Sequence, residues 1–279
     1  MLKPISRFCF GIAVCAASGV ALSAAPGEAA SFSFSGSRLS IDNVSVLPEV
    51  KESTLVTDAI ANTQQGTVDN NFDGSLDFVA DEQTRLDGLF EARSQGDGTG
   101  YFGTSDVTSN VFGQFLATPQ QAFSLDFQLS SILRNTVETL PERATAKSNF
   151  SLSLLAPDKS LLKFFTLEAI VNTSPLDQSS NEVLQVQTNG QVLDSNRQLL
   201  PGTNEEVGNI NFLGRFEHSV SQPTLLTLRV NTSNTACIQA PETADACVKV
   251  PEASFLWAFS VVTALGLLVL PQQLRSAGL

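Results

Sequence analysis

Apolar and polar residues alternate along much of this chain. Phe123, Leu125, Phe127 and Leu129 are separated by Ser124, Asp126 and Gln128. Phe150, Leu152 and Leu154 repeat the pattern, as do Phe165, Leu167, Ala169 and Val171, with Thr166 and Glu168 between them. Leu184 and Val186, Ile210 and Phe212, and Leu226, Leu228 and Val230 continue it. A period of two marks half-buried strands, because successive side chains leave opposite faces. Phe32 and Phe34 alternate with serines and lead to Leu39 and Ile41, which predicts a further strand with its phenylalanines on the core side. Turn residues separate the runs at Pro119, Ala156-Pro157-Asp158, Pro175, Pro201-Gly202 and Pro223. Asn189-Gly190 between two alternating runs predicts a hairpin. Glu52 to Ala61 and Ala80 to Ala92 carry apolar residues at helical spacing and fit short helices. No internal repeat occurs, which argues against a propeller or solenoid. The expected fold is all-β: a jelly-roll-like β-sandwich over residues 30–235.

The two ends depart from this pattern. Residues 1–29 carry Lys3 and Arg7, then an apolar stretch from Phe8 to Leu22, then small residues up to Ala29. That order predicts a secretory signal peptide helix cleaved after Ala29. Near the other end, Phe255 to Leu270 is a run of sixteen residues without a charge. A core helix would show a polar face, and this run is apolar all round. It is read as a transmembrane helix near the short end of the workable length. Trp257 stands near its start, where an interfacial aromatic belongs.

The residues around this run add a motif. Val250, Pro251, Glu252, Ala253 and Ser254 precede it, and Arg275 follows it. A short box, an apolar helix and a basic end, in that order, resemble the PEP-CTERM sorting signal. Ala253 stands where that family usually has a second proline, and the family's basic cluster is reduced to Arg275. The resemblance covers residues 250–279. It implies export by a Gram-negative, cyanobacterial-like cell and a partner enzyme of the exosortase type that cleaves near the box. The protein would then sit anchored in the inner membrane facing the periplasm, or reach the cell surface after processing.

Composition narrows the chemistry. Sixteen Lys and Arg against 28 Asp and Glu give a formal net charge of −12. Such a surface disfavours nucleic acid, whose phosphates need cationic partners. Nineteen Phe beside one Tyr and one Trp point to rings packed between two sheets. Sugar-stacking platforms more often use Trp and Tyr. Of the four cysteines, Cys9 and Cys15 lie in the signal segment. Cys237 and Cys247 remain and predict a disulfide in an exported chain. It would close a spacer over residues 236–249.

The single histidine, His218, cannot furnish a zinc site of several His or Cys ligands. No Gly-x-Ser-x-Gly, phosphate-binding loop or dinucleotide fingerprint occurs. One stretch suggests a ligand. Asp69, Asn71 and Asp73 alternate, followed by Gly74, Ser75, Leu76 and Asp77. This is the first half of an EF-hand-type loop, in which alternate hard oxygens surround calcium. The twelfth position, where a bidentate Glu completes the shell, is Ala80. No cofactor is required by any motif, and calcium is the one candidate. The expected function is a non-catalytic, exported protein of the cell envelope or extracellular matrix. A carbohydrate-binding module on the same sandwich, with a polysaccharide as partner, is the first alternative. A secreted glycoside hydrolase using paired carboxylates is the second.

Overall fold

In this computed structural model the described residues are 30–79, 85–138, 142–174, 182–200, 202, 204–240 and 247. The signal segment, the sorting box Val250–Ser254 and the apolar run after it lie outside them. Among the described residues no helix is long and apolar enough to cross a membrane.

Ten strands follow one another: β1 (Ala30–Asp42), β2 (Pro48–Val79), β3 (Arg85–Ala117), β4 (Phe123–Thr136), β5 (Arg143–Leu155), β6 (Leu161–Thr173), β7 (Val183–Thr188), β8 (Gln191–Leu200), β9 (Glu205–His218) and β10 (Thr224–Gln239). All pairings are antiparallel, and a single hydrogen-bonded path runs β7-β6-β5-β10-β3-β1-β4-β9-β8, with β2 along β3. That path folds into two sheets because β3 serves both. Its first half, Leu86 to Asp97, pairs with β1, and its second half, Phe102 to Ala117, pairs with β10. Between them the inward-facing positions change from even to odd, from Gly96 to Tyr101. Gly98 turns this corner with a φ of 103°, a left-handed conformation open to glycine. β2 follows the corner through register shifts at Thr63, Gln65 and Gly66. The first sheet is therefore β7-β6-β5-β10 with the second half of β3. The other is β8-β9-β4-β1 with the first half.

The sheets stack face to face as a β-sandwich. At one end the core is aromatic. Phe165 of β6 lies 5.1 Å from Phe127 of β4, 5.2 Å from Phe212 of β9 and 6.0 Å from Phe150 of β5, centroid to centroid. These are the inward residues that the alternation predicts, and they are buried together with Leu125, Leu129, Leu152, Leu167, Ile210, Leu226 and Val230.

At the other end the core is polar, and the first part of β1 is inverted relative to expectation, while Leu39 and Ile41 further along it are buried in the core. Ser31, Ser33, Ser35 and Ser37 point inward and are buried, while Phe32 and Phe34 lie half-buried on the outer face. The reason is the gap. Ser33 Oγ donates to the carbonyl of Thr145, and Ser35 Oγ to that of Lys147, both on the opposite sheet, at 2.7 and 2.6 Å. A hydroxyl on one carbon reaches a facing backbone only where the sheets are well inside their usual ~10 Å separation. No phenylalanine fits there.

Three further expectations change. Glu52–Ala61 and Arg85–Ala92 are strand, not helix, because each is paired residue by residue in the β2–β3 ladder. Residues 80–84 lie outside the described residues. Asn189-Gly190 joins β7 to β8, but β7 pairs with β6 and β8 with β9, so the turn crosses between sheets. Asn189 instead ties down β6, accepting from Phe164 N–H at 2.7 Å and donating to Leu162 C=O at 3.1 Å. Finally, β10 runs on to Gln239, and Ala236, Cys237 and Ile238 are fully buried. Residues 236–239, expected in the spacer, belong to the sandwich.

Candidate functional site

The candidate calcium stretch is not a loop. Asp69, Asn71, Asp73, Ser75 and Asp77 lie in β2, opposite Gln95, Arg93, Glu91, Leu89 and Asp87 of β3. Alternate residues of a strand share a face but stand about 7 Å apart. Calcium holds its oxygens at about 2.3–2.6 Å, so ligands must converge. A straight ladder does not converge them. The sequence letters fit both geometries, and the long pairing with β3 decides for the strand. Asp73 faces another acid: the Glu91 carboxyl is pushed up, first by burial and then by Asp73. In calorimetric titration at millimolar calcium, the wild type and Asp73→Ala are expected to give the same heats. A signal lost only in the variant would restore the calcium loop.

His218 ends β9, opposite Phe123, with its basicity lowered by burial and then by Lys163. No hydrogen bond joins it to a serine or cysteine among the described residues. Beside it lies a shallow cavity of about 340 Å³, lined by Lys163, Gln191, Arg215 and Glu217 among others. Arg215 is already engaged: its guanidinium donates to both oxygens of Asp126, at 2.6 and 3.0 Å. That pairing holds the Asp126 carboxyl below its ordinary range. The charges left in the lining are one lysine, Lys163, and one carboxylate, Glu217, so the cavity offers an anion no net positive charge.

Among the described residues two carboxylates, Glu142 and Glu206, are buried. Glu142 accepts the Glu138 N–H at 3.0 Å, and Glu206 accepts the Thr173 hydroxyl at 3.0 Å. Burial, then Glu182, pushes the Glu206 carboxyl up. Burial likewise raises the Tyr101 hydroxyl, and the nearby Glu142 adds to it. A glycosidase needs two carboxylates flanking one bond across a cleft. Glu142 and Glu206 are each bonded to their own neighbour.

Cys237 and Cys247 are joined, with S–S 2.09 Å and Cα–Cα 5.7 Å. Cys237 lies on the outward face of β10, between Thr104 and Thr145 in register. Cys247 N–H donates to Gln239 Oε1 at 3.0 Å. The link thus returns the chain onto the outer face of the first sheet.

That outer face carries an arrangement that register creates. Gln187, Thr166, Ser151, Asn231, Asn110 and Thr54 lie directly opposite one another on six successive strands. The row has amides and hydroxyls and no charge. The next row holds Phe164, Ser153, Arg229, Phe112 and Glu52. Ser151 and Ser153 point outward yet are only 3% and 9% exposed, so they form a recessed floor between larger neighbours. Phe164 and Phe112 are half-buried on either side. Among the described residues, no hydrogen bond within the protein engages the amides of Asn110, Asn149, Asn231, Gln185 or Gln187. In the sequence these residues are only the polar half of an alternation; nothing there says which of them meet.

Comparison with known proteins finds no matching family, no similar curated protein and no similar solved structure.

Proposed function

We propose that this chain is an exported, non-catalytic protein of the cell envelope or extracellular matrix. In this reading a jelly-roll-like sandwich is carried between a signal peptide helix at 1–29 and a membrane helix within 250–279. The PEP-CTERM-like box Val250–Ser254 directs surface sorting by an exosortase-type enzyme. The observation that carries the reading is the Cys237–Cys247 disulfide. Such bonds persist in oxidising compartments and are rare in the cytosol. It agrees with the order of segments along the sequence, which argues independently for a sandwich outside the cytoplasm.

Cell fractionation tests it. The full chain and a version ending at Ser254 are produced in the same export-competent cells. The full chain is expected in the membrane fraction or at the surface, and the shortened one in the soluble exported fraction, both without free thiols. Two soluble forms would remove the anchor. A cytoplasmic, uncleaved protein with all four cysteines as reactive thiols would remove export itself.

A further inference from the structure

We propose that the outer face of the first sheet binds an uncharged polysaccharide, laid across the strands along the row from Gln187 to Thr54. The chemistry of the row selects the ligand. A side-chain amide offers a donor and an acceptor side by side, and a sugar hydroxyl is both at once. Asn110, Asn149, Asn231, Gln185 and Gln187 spend none of that capacity on other described residues. The charges beside the row balance: Glu168, the next residue along from Thr166 on the same face, is paired with Lys147 at 2.9 Å, and the flanking row holds one cation, Arg229, and one anion, Glu52. A chain with a net charge of −12 repels polyanions, so the matching polymer is neutral.

Shape agrees with chemistry. Strands about 4.8 Å apart make a six-strand row about 24 Å long, enough for several sugar units. Ser151 and Ser153 recess the floor, and Phe164 and Phe112 rise beside it on the flanking row. Aromatic faces at those two places supply the apolar contact that sugar C–H groups make, with Arg229 between them in register. A second copy of the protein is the poorer occupant, because interface centres are enriched in aromatic residues and depleted of serine and of most charged residues. Here the centre of the row is Ser151 and Asn231.

The site rests on the extracellular reading only for where it would meet its polymer; binding is measured on purified protein and is independent of sorting. The full chain, purified in detergent, is run in native gels containing hydroxyethylcellulose, galactomannan, soluble starch or, as the acidic arm, alginate. At least one neutral polymer is expected to retard it, and the retardation is expected to survive salt raised to roughly 0.5 M, where surface charges are screened. Asn110→Ala/Asn231→Ala removes two exposed or half-exposed amides without touching the core, and should weaken binding about tenfold or more. Phe112→Ala/Phe164→Ala should do the same. Asn209→Ala/Asn211→Ala, on the outer face of the other sheet, should leave binding unchanged. The proposal is overturned if no neutral polymer retards the chain, if alginate alone does so, or if the first-sheet variants bind like wild type. It is also overturned if the second-sheet variant loses as much, or if this face instead proves to join two copies in solution.

Discussion

Phe165→Ala is expected to destabilise the protein by about 3–5 kcal/mol, the range for truncating a fully buried phenylalanine. Phe165 is the ring on which the aromatic end converges. It touches Phe150 within its own sheet and reaches Phe127 and Phe212 on the other. Truncation removes apolar area and also leaves a cavity that three large neighbours cannot close without leaving their own packing. Both terms count, the cavity adding about 24 cal/mol for each Å³ left unfilled. Urea unfolding followed by far-UV circular dichroism measures the loss, since the only tryptophan in the sequence, Trp257, lies outside the described residues. The midpoint should fall with the slope unchanged. Phe34→Ala, on the outer face, provides the comparison and should cost far less. Equal losses from the two would mean that Phe165 does not sit between the sheets.

The inward residues of β4, β5, β6, β9 and β10 were legible because each strand alternates cleanly and its apolar half has only one place to go. Phe165 is an inward residue on that ground alone. What was not legible depends on partners distant in sequence. The serines of β1 look like the solvent face of a strand until the carbonyls of Thr145 and Lys147 are seen opposite them. Asn189-Gly190 satisfies the local chemistry of a hairpin, and only the pairing of β7 with β6 and β8 with β9 shows that it crosses between sheets. The Asp69–Asp77 stretch carries loop letters, yet the ladder with β3 outweighs them. The candidate binding row was legible as polar positions but not as a row. Ser151 and Asn231 are eighty residues apart in sequence, and only the β5–β10 register sets them side by side.

The polar end of the core supplies the second large effect. Asn135 is fully buried in β4 and binds both sheets together. Its Oδ1 accepts from Ser33 of β1 at 2.9 Å. Its Nδ2 donates to the carbonyls of Ala144 in β5 and Val171 in β6, at 3.1 and 2.7 Å. Asn135→Asp keeps the shape and removes the two donors, so no cavity confuses the result. At neutral pH an ionised carboxylate would face two carbonyl oxygens in a buried position, and the expected loss is about 3–5 kcal/mol, the scale for an uncompensated buried charge. The sign of its pH dependence follows. Burial raises the folded pKa of the introduced carboxyl above its unfolded value of about 3.9. Below that unfolded value both states are protonated, the new hydroxyl donates to one of the two carbonyls, and the loss is smallest. As pH rises towards the folded pKa, the unfolded state ionises first and the loss grows by about 1.4 kcal/mol per pH unit. Above the folded pKa it levels off. Urea midpoints of wild type and variant, compared at each pH from mildly acidic to neutral, cancel the protein's own carboxylates and isolate this term. Asn211→Asp, exposed on the second sheet, should show almost none of it. A penalty at position 135 that does not change with pH would mean that this amide is not enclosed between the two sheets.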